Sequence, residues 1–150
     1  MTETASKNKT AELLLAVHKN VTASVDAIMN LMPKVKDDKL KSDMTVELSA
    51  FEAFASRTAK LLAEEGVKPE EASMLSKLSA KWSTMMSTMR DGTTSHLAQM
   101  MIEGATMGAD ELLRDLREAE NSNASESAIR LTRDVCAYEE KLAHELKSYL

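Results

Sequence analysis

The stretch Ser95-His96-Leu97-Ala98-Gln99-Met100-Met101-Ile102-Glu103-Gly104-Ala105-Thr106-Met107-Gly108 decides the fold. Its apolar residues recur at steps of three and four, the spacing that aligns side chains on one face of a helix. Gly104 and Gly108 fall one turn apart on that face, beside Met100 and Met107. Glycine inside a helix costs roughly 0.8–1 kcal/mol against alanine, so the pair needs a compensating contact. A neighbouring backbone that approaches where no Cβ stands supplies one. Gly104, Gly108, Met100 and Met107 therefore mark a tight helix contact, either inside a bundle or between two copies of the chain.

Outward from this segment the same periodicity continues. From about Lys7, the residues Leu14, Val17, Val21, Val25, Ile28 and Met32 form one stripe, which Pro33 ends by removing a backbone donor. A second helix is expected from Asp37 or Asp38, with Leu40, Met44, Leu48, Phe51, Ala55, Thr58 and Leu62 inward and Gly66 closing it in the left-handed conformation. Pro69 suits the first position of a shorter third helix carrying Leu75, Leu78, Trp82, Met85 and Met89, stopped by Asp91-Gly92. Thr93 or Thr94 caps the fourth, whose inner side is read as Leu97, Met100, Met101, Gly104, Met107, Gly108, Leu112 and Leu116. After the polar loop Asn121–Ser125, Ser125 caps a last helix with Ala128, Leu131, Val135, Tyr138, Leu142 and Leu146 on its face. Helices of about 25 residues are roughly 37 Å long. That length suits an elongated all-α four-helix bundle with one additional shorter helix.

Composition agrees. Four glycines, two prolines and 3% aromatic residues are too few for a sheet protein, and 150 residues make one domain. Residues 1–10 are polar and read as a flexible segment ahead of a single domain at 11–150. A net charge of −5 and a pI near 5.3 disfavour phosphate backbones and anionic lipid, so nucleic acid is not the expected partner. No apolar run approaches a membrane span or a secretory signal, and a cytoplasmic protein is expected. The lone Cys136 cannot form an internal disulfide; on an apolar face it reads as a small inert hydrophobe.

The candidate chemistry is sparse. A di-iron bundle needs paired Glu-x-x-His motifs; the residues three before His18, His96 and His144 are Leu15, Thr93 and Lys141. What remains is Glu47, Glu103 and Glu139 on the edges of their stripes, with Glu140 and His144 one turn apart. The simplest reading leaves all five in solvent; the alternative is a degenerate iron or manganese site. The eleven methionines include Met85, Met86, Met89, Met100 and Met101, soft ligands suited to Cu(I) but more often core filler. Asn20-Val21-Thr22 matches a glycosylation acceptor, yet falls within a helix. No phosphate loop, dinucleotide fingerprint or nucleophile elbow is present in the sequence.

Leu31-Met32-Pro33-Lys34, Asp38-Lys39-Leu40, Glu65-Gly66-Val67-Lys68-Pro69, the Ser95–Gly108 block and Glu139-Glu140 together resemble a family of small bacterial proteins of anaerobic Firmicutes type. The resemblance runs from about Ala11 to the end and implies a ferritin-like bundle. In that family's pattern an acid stands at the position of Gln99 and an amide at that of Glu103, so the acid here is displaced by one turn. The resemblance implies a fold and no activity. The expectation is a non-catalytic, cytoplasmic bundle with a structural or interaction role and homo-oligomer formation through the glycine face. The alternatives are an iron- or manganese-binding bundle and a carrier of soft metal or apolar ligands.

Overall fold

The computed structural model describes residues 3–69, 84 and 91–150, with side chains from Asn8 onward. These residues form four long helices, α1 (Glu3–Leu31), α2 (Asp38–Glu64), α3 (Thr94–Glu120) and α4 (Glu126–Leu146), and no strand. Short 3-10 turns follow α1 (Met32–Lys34) and α4 (Lys147–Tyr149). The expected shorter helix, with Leu75, Leu78, Trp82, Met85 and Met89, lies outside the described residues. Helix α1 begins at Glu3, ahead of the Lys7 start expected from periodicity, so it takes in most of the segment read as flexible.

Local chemistry sets the ends. The Asp37 carboxylate accepts from Leu40 N at 2.8 Å, Thr93 Oγ1 from His96 N at 3.2 Å and Ser125 Oγ from Ala128 N at 3.2 Å, each covering a backbone donor that the first turn leaves open. At the end of α2, Gly66 takes φ +70°. Gly66 N then donates to Ala63 O and Val67 N to Leu62 O, both at 3.0 Å, which closes the helix by the paired bonds of a Schellman motif.

Direction follows from the contacts. Lys9 pairs with Glu118 at 3.1 Å, so the start of α1 lies beside the end of α3; Arg133 pairs with Glu120 at 2.8 Å across the α3–α4 turn. Arg57 pairs with Asp134 at 2.7 Å while Tyr149 reaches back to Asp43, so α2 and α4 are also antiparallel. Helices α2 and α3 thus both oppose α1 and run parallel, so the end of α2 and the start of α3 lie at opposite ends of the bundle, roughly 40 Å apart, the length of a 27-residue helix. Helices α1 and α4 pack on each other across the bundle, and each also packs on α2 and α3. The core between them is aliphatic, with Leu14, Val17, Leu40, Met44, Leu97, Leu112, Leu131 and Val135 almost wholly removed from water.

Candidate functional site

Two carboxyls lie inside this core. Glu47 is 5% exposed and Glu139 is 1% exposed, against the expectation that both stand at solvated edges. The backbone register puts them there. Glu47 is three residues after Met44 and four before Phe51, and Glu139 is four after Val135 and three before Leu142; all four neighbours are buried. A side chain at such a step shares the inward face whatever its polarity.

Both line one small cavity of about 30 Å³, half open to the surface beside Ser24 and Gly104, with room for a few waters at most. Its other walls come from every helix: Ile28 and Leu31 of α1, Phe51 of α2, Met101 and Gly104 of α3, Leu142 of α4. No Lys, Arg or His is among the lining residues. Glu47 Oε2 and Glu139 Oε1 are buried without a hydrogen-bond partner. Burial without a countercharge pushes both carboxyls up to about 8, with Asp43 and Glu145 adding to the effect at Glu47.

Gly108 explains how Glu139 fits. A Cβ there would stand 2.5 Å from Glu139 Oε2 and 2.9 Å from Asn20 Nδ2. The Asn20 amide donates to Gly108 O at 3.0 Å and also bonds the Glu139 carboxyl. That bond favours the ionised acid, but desolvation outweighs it. The close contact at Gly108 is therefore made within the chain, and what approaches the bare Cα is a carboxyl–amide pair. Asn20, whose match to a glycosylation acceptor is set aside because it falls within a helix, is 5% exposed.

The remaining candidates separate. Gly104 is half-buried in the cavity wall, Met100 is buried in the core, and Met107 is half-buried. Glu103 is exposed, its carboxylate 3.5 Å from Gln99 Nε2, because the buried row of α3 runs through Leu97, Met101, Ala105, Gly108 and Leu112 and turns Glu103 outward. Glu140 and His144 are exposed, although His144 joins Glu47 in lining a wider surface groove between α2 and α4. Among the described residues no three His, Cys, Asp or Glu side chains converge on one point. Of the methionine cluster, Met101 lines the cavity and Met100 packs in the core; Met85, Met86 and Met89 lie outside the described residues.

Cys136 is buried, its thiol 3.9 Å from Ala109 O, and burial among acidic neighbours pushes it up to about 12. No helix among the described residues is long and apolar enough to cross a membrane. No protein-family model, no curated protein and no solved structure matches this chain.

Proposed function

We propose that the chain is a non-catalytic, ferritin-like bundle that binds a small hard divalent cation, iron(II) or manganese(II), between Glu47 and Glu139. One observation carries the reading: two buried carboxyls from different helices line one small cavity, each with an oxygen that nothing in the protein satisfies. A buried carboxylate is costly unless it is paired, and a divalent ion would neutralise both at once. The cavity of about 30 Å³ has room for an ion with little water. Oxygen donors select hard ions over Cu(I). Glu47 and Glu139 would be the protein ligands, and water would supply the remaining donors. The ferritin-like assignment draws on four long helices of which α2 and α3, consecutive among the described elements, run parallel.

The test is metal analysis of protein purified without chelator, followed by Mn²⁺ titration of the wild type, Glu47→Gln, Glu139→Gln and the exposed control Glu103→Ala. Wild type and Glu103→Ala should hold Mn²⁺ stoichiometrically, and Mn²⁺ at 100 times its Kd should stabilise them by about 2.7 kcal/mol. The glutamine variants should lose both effects. Wild-type protein that neither carries metal nor gains stability would return the bundle to a purely structural or interaction role.

A further inference from the structure

Asn20 joins three helices through one amide. It stands on α1, and its Nδ2 donates to Gly108 O of α3 at 3.0 Å and to the Glu139 carboxyl of α4. The two oxygens of Glu139 are thereby unlike. Oε1 is buried with no partner, so the Asn20 bond falls on Oε2. Oε2 also lies over the bare Cα of Gly108, where a Cβ would come within 2.5 Å of it. Glu139 lines the cavity, whereas Asn20 and Gly108 are not among its lining residues. The pair therefore stands behind the carboxyl, seats Oε2 on the side away from the cavity and leaves Oε1 as the oxygen with nothing to bind. Asn20 and Glu139 are both almost wholly removed from water, which keeps this arrangement from exchanging with solvent.

The number of oxygens a carboxylate can offer decides which cations it suits. Calcium takes roughly six to eight oxygens and often draws both from one carboxylate, whereas smaller octahedral ions take about six and need only one from each. We infer that Asn20 is a positioning residue that sets the cation preference of the cavity: by engaging Oε2 of Glu139 it leaves Oε1 alone to bind, and so favours iron(II) or manganese(II) over calcium. This rests on the cation-binding reading above. Gly108 is the second half of the device, because only without a Cβ can Oε2 and the Asn20 amide share the space over its Cα.

The experiment is calorimetric titration with Mn²⁺ and, separately, with Ca²⁺ of wild type, Asn20→Leu and Gly108→Ala at one pH. Leucine is close to asparagine in shape and donates no hydrogen bond. Wild type should bind Mn²⁺ more tightly than Ca²⁺. Partners that hold a ligand from behind are worth about 10–100-fold in metal affinity, so Mn²⁺ binding by Asn20→Leu should weaken by that factor. Its Ca²⁺ affinity should hold or rise, because both oxygens of Glu139 are then free, and the preference for Mn²⁺ should narrow by at least about tenfold. Gly108→Ala, which pushes Oε2 off its seat, should narrow the preference in the same direction. A merely structural role would weaken both ions alike. An unchanged ratio of the two affinities in the variants, or a wild type that prefers Ca²⁺, overturns the inference while the site itself stands. Wild type that binds neither ion overturns the cation-binding reading and this inference together. Should Asn20→Leu fail to fold, Gly108→Ala decides by the same ratio.

Discussion

Replacing Glu139 with glutamine should remove much of the pH dependence of folding stability in the metal-free protein. Glu139 is pushed from 4.5 up to about 8 by burial, so between these values the folded chain holds a proton that the unfolded chain has released. The folded state binds more protons, and stability is therefore full below about 4.5 and falls as pH rises through 8. The slope is about 1.4 kcal/mol per pH unit, or roughly 2.5 kcal/mol between about pH 5.5 and about pH 7.5. Glutamine occupies nearly the same volume and does not titrate. Urea unfolding followed by helical circular dichroism, in chelator at both pH values, should show wild type losing about 2.5 kcal/mol more than Glu139→Gln across that interval. Glu47→Gln should behave alike, since Glu47 is also pushed up to about 8. Parallel pH profiles for wild type and both variants would refute the reasoning, because they would mean that the carboxyls are already ionised in the folded protein.

Gly108→Ala should destabilise the protein by about 1–2 kcal/mol in the same urea assay: alanine gains up to about 1 kcal/mol of helix propensity, but its Cβ displaces a buried carboxyl–amide pair. No loss would show that Glu139 can swing aside. Glu47→Met with Glu139→Met should raise stability above wild type at about pH 7.5 by roughly 1–4 kcal/mol while abolishing Mn²⁺ binding. A lower stability would mean that the acids hold the bundle together. Cys136 should resist a thiol reagent in the folded protein and react on adding denaturant, since it is buried with its thiol held protonated. Rapid labelling of the native chain would contradict that packing.

The helix ends were legible in the sequence because capping is local: Asp37, Thr93 and Ser125 each bond a backbone amide three residues on, and Gly66 needs only its own freedom at positive φ. The stripes of α1 and α2 were legible for a similar reason, although Val25, Leu48 and Ala55 prove half-buried. The site was harder to see. Glu47 and Glu139 stand at register positions of their stripes, which is the signal that could have found them. Hydropathy sends a carboxylate to the edge, and on α4 it favoured Tyr138, which instead lies half-buried against Phe51 and Phe54. What allows Glu139 inside is Asn20 and the bare Cα of Gly108, residues that sit 88 positions apart in the chain. No window along one helix contains that information. Glu103, read first as a solvated flank residue, is exposed: the buried row of α3 runs through Ala105 and Ala109 and turns it outward.

Stability alone gives no reason for this arrangement. Gly108 weakens its helix by roughly 1 kcal/mol, and a buried acid without a counterion costs more than a methionine or leucine of similar volume. Asn20, also buried, keeps Oδ1 without a partner while its amide serves both Gly108 and Glu139. Scattered over the molecule, such departures would each need a separate cause. Here three of them, from α1, α3 and α4, meet at one carboxyl, and a fourth, Glu47 from α2, faces the same cavity. Local choices that oppose folding and converge on one point are what a binding site requires, because a group already satisfied by its own protein has nothing left to offer a ligand. Glu47 and Glu139 each keep a buried oxygen that no group of the protein satisfies, and that is where the proposed ion is to be sought.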